Sequence, residues 1–287
     1  RGTVGLSRLG DHGFAFAHAE TGLLWRATAR GQTLPMNAAH REDVTALAIL
    51  PRAGQLVVCH GAELSLVVES GGAEWAHVAL DHEVTRVAVS GDERLLACWG
   101  AGRVSILAAE DLTLQGQVAC DGAVLGLEWS PCKRWLAAGC ADKALLLVDV
   151  DAGRADRIVD FPAAVQTAGF SDQAGAVIAS GAFRVVGWAL PDLPFGDHPG
   201  TPIETGKPGL TLVDRVAVHP KRDLCAVSYG TGLVMLSRIG HADEMLVREG
   251  TGAAVNALTW SDDGAHLAIG GEDGSLSIVT FPKNMFK

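Results

Sequence analysis

The side chains best suited to chemistry in this sequence are four histidines in its first third, His18, His40, His60 and His82, with Cys140 further along. Imidazole and thiolate are good ligands for zinc or copper, so a metal site on His18, His40, His60 and His82 is the sharpest chemical reading of the chain. The spacing argues for something plainer. No HxH or CxxC pair anchors a metal locally, and the six cysteines (Cys59, Cys98, Cys120, Cys132, Cys140 and Cys225) are scattered. Such a pattern reads as free thiols in a reducing compartment, which makes the cytoplasm the expected location. Nucleophilic catalysis finds no GxSxG motif, and Glu20, Asp142, Glu272 and Asp273 sit in turns, where carboxylates solvate or cap the backbone. "GTPIETGKP" (200–208) fails as a phosphate loop: five residues separate Gly200 from Gly206, and Pro208 stands where magnesium would need a hydroxyl. No cofactor and no enzymatic activity are expected.

The composition narrows the partners. A chain of 287 residues, 48% hydrophobic and 20% charged with 35 glycines, suits a compact protein rich in tight turns. A net charge of −10 and the absence of any basic run argue against nucleic acid, whose phosphates need a basic face. Charged residues or glycine interrupt every apolar run before it reaches bilayer length, and the start shows no signal-peptide pattern, so no membrane partner is expected.

The elements that position these residues come from a repeat. "VTALAI" (44–49), "VTRVAV" (84–89), "VLGLEW" (124–129), "VQTAGF" (165–170), "VDRVAV" (213–218) and "VNALTW" (255–260) share one frame, and "VGLSRL" (4–9) fits it loosely. The leading valines lie 40, 40, 40, 41, 48 and 42 residues apart. Each is followed by a second strand, a Gly- or Asp-bearing turn and a third strand, such as "LSLVVE" or "ALLLVDV"; weaker fourth strands can be read at "EWAHVAL", "TLQGQVA", "DRIVD" and "EMLVRE". Seven units of four short strands predict an all-β, seven-bladed β-propeller of four-stranded antiparallel blades, a single domain over 1–287. The extra length falls at 190–209, whose five prolines predict an irregular insertion between blades five and six, with "TPIET" as an outer strand.

Phrases such as "VLGLEWSPCKRWLAAGCADKALLLVDVDAG" (124–153) and "VNALTWSDDGAHLAIGGEDGSLSIVTF" (255–281) resemble the WD-repeat β-propeller family, and the likeness runs over essentially the whole chain. Val148-Asp149 stands where that family has Trp-Asp; Trp25 and Trp188 keep the tryptophan without the aspartate. His40 matches the family's Gly-His position, and Asp142 and Asp273 match its turn aspartate, though no blade carries the full hydrogen-bonded set of histidine, aspartate, hydroxyl and tryptophan. The family usually closes its ring by pairing strands from the two termini. Here the last blade is expected to have three strands, unless "PKNMFK" or upstream residues supply the outer one.

If the family's geometry holds, the turns between second and third strands form a column on one face: His18, His60, Trp99, Cys140, Gly181, Tyr229 and Gly271. His40 and His82 stand in loops on the same face. The expected function is a non-enzymatic scaffold or adaptor that docks a protein or peptide there, through Trp99, Tyr229, His60, His18 and Cys140. A metal-binding or hydrolytic propeller using the histidine-bearing face is the alternative. Trp129 and Trp260, which end first strands, are expected in the core or the channel.

Overall fold

The computed structural model describes residues 3–8, 13–18, 24–35, 44–68, 73–282 and 285. Valine- and leucine-rich strands of three to six residues, punctuated by Gly and Asp turns, form seven sheets with nearest-neighbour antiparallel pairing in chain order. Six sheets have four strands and the seventh, Val255–Trp260, His266–Gly271 and Leu276–Thr280, has three among the described residues. The first strand of each sheet is innermost: Thr3–Arg8, Ala46–Leu50, Arg86–Val89, Val124–Trp129, Ala168–Ser171, Val213–Val218 and Val255–Trp260. Each lies beside the next, and the seventh lies back against the first. The protein is therefore an all-β, seven-bladed propeller. Among the described residues no helix is long and apolar enough to cross a membrane.

The core lies between blades, as expected for sheets that cannot cover their own faces. Leu136, Ala138, Leu146 and Val148 of blade four pack with Ala97, Val104, Ile106 and Val118 of blade three, all buried. Trp135, Ala137, Leu145 and Leu147, on the other face of blade four, pack with Phe170, Val177 and Ala179 of blade five. Each such side chain contributes about 1.5–3 kcal/mol of hydrophobic burial before entropy is subtracted. Polar bonds repeat along the inner ring. Trp129 Nε1 donates to Ala88 O (3.2 Å) and Trp260 Nε1 to Ala217 O (3.1 Å), each reaching the preceding blade, while Arg86 Nε donates to Leu125 O (2.7 Å) and Arg215 Nε to Val255 O (2.8 Å) in the following one.

The turn after each inner strand has its own device. Ser90, Ser130 and Ser261 accept the backbone N–H five residues on, at 2.9–3.0 Å, and Ser90 and Ser261 donate to Asp92 and Asp263. In segment 190–209, the outer strand Pro202–Thr205 pairs with Val185–Ala189, and Leu193 and Phe195 fold back on Trp135, whose ring centroid is 5.7 Å from that of Phe195.

Candidate functional site

On one face of the disc, the turns between second and third strands are tied to the loops that enter the inner strands. Val84 N donates to Gly61 O (2.7 Å), Ala141 N to Ala123 O (2.9 Å), Val213 N to Ala182 O (2.8 Å) and Glu272 N to Ala254 O (3.0 Å). These bonds tie the turns and loops of this face into one rim. Arg86 and Arg215, on inner strands, are half-buried, with their Nε–H bonds spent on carbonyls of the next blade. Burial raises the carboxyl of the neighbouring Asp214 above its ordinary range, with Arg215 opposing the shift.

The strand register corrects the expected column. The residue opposite the third position of the valine-led frame is Cys59, Trp99, Gly139, Ser228 or Gly270 in blades two, three, four, six and seven. His60, Gly100, Cys140, Tyr229 and Gly271 follow it, so the blade-three member of the column is Gly100 and not Trp99. A one-residue offset turns a strand side chain to the other face of its sheet. Trp99 is accordingly only 9% exposed, packed with Val104, Cys120, Val124 and Cys140 between blades three and four. Its indole nitrogen is buried beside the Cys120 thiol. The expectation of Trp99 as an exposed contact residue is thereby corrected.

Cys140 keeps its place in the column but is wholly buried, and burial pushes its thiol up to about 11. A protonated, enclosed thiol is neither a ready metal ligand nor a surface contact. Tyr229 is half-buried, and desolvation raises its phenol above the ordinary value. His60 is half-buried, with Nε2 enclosed and lacking a hydrogen-bond partner. His18 ends the strand Gly13–His18, one residue past the column position, and its side chain lies outside the described residues. His40 lies outside them altogether.

His82 is buried with both ring nitrogens engaged, Nδ1 at 2.8 Å from Glu83 O and Nε2 at 2.8 Å from Ser105 Oγ. Gln117 Nε2 donates both to Ser105 Oγ (3.1 Å) and to Asp81 (3.1 Å), and Arg103 pairs with Asp81 at 2.7 Å. This histidine satisfies a blade instead of waiting for a metal. Among the described residues no group of three or more His, Cys, Asp and Glu is arranged to hold a metal ion.

Two residues that sequence reasoning passed over dominate the exposed part of the face. Phe183 reads in the sequence as the start of a third strand, but that strand begins at Val185 and leaves Phe183 at the turn, 47% exposed. Leu210, in the loop entering blade six, is 99% exposed. Gly209 N donates to Phe183 O at 3.0 Å and joins the two loops. Arg184 fixes them further, donating to Gly206 O (2.8 Å) and pairing with Glu204 (2.9 Å), while Lys207 N donates to Glu244 (3.1 Å). The available signal was Phe183 itself, an aromatic at the turn position filled by Asp142 and Asp273 in blades four and seven.

Residues 111–149 match the family model described as WD domain, G-beta repeat, and residues 216–284 match that of the anaphase-promoting complex subunit 4 WD40 domain. Both matched stretches thus carry WD-repeat sequence. The ring is similar in structure to a chain in a crystal structure of the mitotic checkpoint complex, with a TM-score of 0.75 at 14% identity, over 96% of this chain and 86% of that one. No curated protein matches the sequence. In family terms, Asp149 is the WD aspartate, fully buried and held by Arg134 through Nη2 (2.8 Å) and Nε (3.3 Å) and by Ala152 N (3.1 Å).

Proposed function

We propose that this propeller is a non-enzymatic scaffold that docks a protein or peptide on the rim of second-to-third-strand turns. Propellers of this family commonly mediate protein–protein contacts, and the checkpoint-complex neighbour belongs to a multi-protein assembly. The observation that carries the reading is the pair Phe183 and Leu210, two large apolar side chains held out to solvent by hydrogen-bonded loops. Exposing them together costs water contact, and a rigid aromatic–aliphatic pair is the kind of anchor that dominates interface energies. Half-buried Tyr229 and His60 stand along the same rim and complete the proposed contact surface.

The test is affinity capture from lysate with the double variant Phe183→Ala/Leu210→Ala. The control is Trp75→Ala, which removes an exposed aromatic from the outer strand Glu74–Ala79, on the disc's edge. Partners lost with the double variant and kept with the control support docking on the rim. Partners kept with the double variant overturn it. Both variants are expected to melt within a few degrees of the parent, because none of the three side chains lies in the core.

A further inference from the structure

The loop of residues 206–212 runs from the outer strand of blade five, Pro202–Thr205, to the inner strand of blade six, Val213–Val218, and carries the exposed Leu210. Its outer end is held by Glu244, which accepts from Lys207 N, and its inner end by Ala182 O, which accepts from Val213 N. The next residue is Asp214. Pairing in that strand runs Val213↔Tyr229 and then Arg215↔Ser228, so Asp214 is the extra residue of a bulge, a device that re-aims a side chain. Asp214 is half-buried, and among the described residues its carboxylate accepts no hydrogen bond and forms no ion pair.

Asp81, Asp149, Asp223 and Asp273 are treated differently by the fold. They lie below the ordinary carboxylate range because Gln117, Arg134, Arg238 and Ser275 donate to them. Asp214 is raised instead, by burial first, with Arg215 opposing the shift and the charge of Glu272 adding to it. At the same place in the repeat Thr45 donates to Val84 O (2.6 Å), a bond that an ionised carboxylate cannot make. Glu272, on the turn of blade seven, lies beside this spot: its N–H holds Ala254 O (3.0 Å), while Arg215 Nε holds the next carbonyl, Val255 O (2.8 Å). Glu272 is exposed, and its carboxylate likewise has no hydrogen bond or ion pair among the described residues. A charge drawn partly out of water without a partner costs the fold stability.

We propose that the partner segment docking on Phe183 and Leu210 carries an arginine or lysine whose cation is received between Asp214 and Glu272. This site extends the rim proposed above and rests on that reading. Four residues of chain lead from Leu210 to Asp214, at most about 14 Å, so the cation follows the apolar anchor by up to four residues of an extended segment. The direction is set as well. Lys207 stands at the loop's outer end, so the basic residue points toward the inner strands and any acidic one outward. A metal ion fits less well, since no third ligand is arranged with the two carboxylates among the described residues. A basic segment also suits a chain of net charge −10, which repels acidic partners.

The probe is a fluorescently labelled octapeptide of glycine and serine with one tryptophan and, three residues on, one arginine, titrated into the full chain. A matched peptide has glutamate in place of the arginine. The arginine peptide is expected to bind saturably and about tenfold more tightly than its match, a gap that added salt narrows. Asp214→Asn/Glu272→Gln should bring the two peptides within about twofold of each other, while Phe183→Ala/Leu210→Ala weakens both. Asp214→Asn alone should keep the parent's urea midpoint or raise it, because it removes a half-buried charge that has no partner. A lowered midpoint would make Asp214 a structural residue and overturn the proposal. So would no binding, equal binding of the two peptides, or a preference that survives Asp214→Asn/Glu272→Gln. A lysate partner lost with Phe183→Ala/Leu210→Ala but kept with Asp214→Asn/Glu272→Gln would refute the cation and leave the rim standing. An arginine peptide that binds the Phe183→Ala/Leu210→Ala variant like the parent would refute the rim itself.

Discussion

His219 shows how one side chain can stand in for a repeated device. It occupies the position of Ser90, Ser130 and Ser261, and its Nδ1 accepts the N–H of Lys221 (3.0 Å), two residues on, where the serines accept the N–H five residues on. Nε2 then carries the proton and donates to Gly264 O (3.1 Å), and the ring packs on Trp260 with centroids 4.7 Å apart. Gly264 is required beneath it, since a Cβ there would lie 2.3 Å from His219 Cε1. Burial lowers the imidazole from 6.5 to about 4, because a proton on Nδ1 would lose its acceptor role and a charge would lose water. The unfolded chain thus binds a proton between pH 6.5 and 4 that the folded one refuses, and stability falls as pH drops through that window. The predicted loss is roughly 3 kcal/mol at one site. Urea unfolding at stepped pH should show it in the parent, and His219→Ser, which restores the repeat's own serine, should flatten the curve there.

Within the blades, the same contact is built twice with opposite polarity. In blade four Arg134, before the second strand, holds Asp149 at the end of the third; in blade six Asp223 has the first position and accepts from Arg238 in the second at 2.8 Å. The turn fixes which positions meet, and either order of charge suffices. Asp149 is fully buried while Arg134 stays half-exposed, so Arg134→Ala should destabilise the fold by leaving the carboxylate with the Ala152 N–H and water alone, read as a lower urea midpoint. The exchanged pair Arg134→Asp/Asp149→Arg is expected to recover part of that loss, read as a positive coupling in a double-mutant cycle. Glycine marks another constraint of the element. A Cβ on Gly139 would fall 2.2 Å from Val165 O of the loop entering the next blade, so Gly139→Ala should lower the melting temperature by several degrees. The glycine itself was plain in "LAAGC", but its need was not, since the carbonyl it admits belongs to another blade.

Across the whole molecule, the ring has no free end along its inner strands. Thr3–Arg8 lies beside both Ala46–Leu50 and Val255–Trp260, so each blade is wedged between two others. Loosening one is then expected to loosen all. Trp260 is fully buried in blade seven and reaches Ala217 in blade six, and Trp260→Ala should cost about 3–5 kcal/mol. Hydrogen exchange read by mass spectrometry should rise in Leu95–Gly100 of blade three along with His266–Gly271 of blade seven. An increase confined to blades six and seven would instead describe a stack that opens one unit at a time.

The sequence by itself determined the seven blades, because alternation and turn residues are local and the period near forty repeats them. It also told that Trp129 and Trp260 belong inside. It did not determine which turn residues see solvent. The column position itself was legible, sixteen residues after the leading valine in blades two to seven and so Gly100 in blade three, and Trp99 stood one residue short of it. Phe183 could be read as strand or turn until pairing fixed Val185 as the first strand residue. Burial at a blade's surface depends on what the next blade brings against it, and that contact lies some forty residues away in the chain. Only the assembled ring decides it.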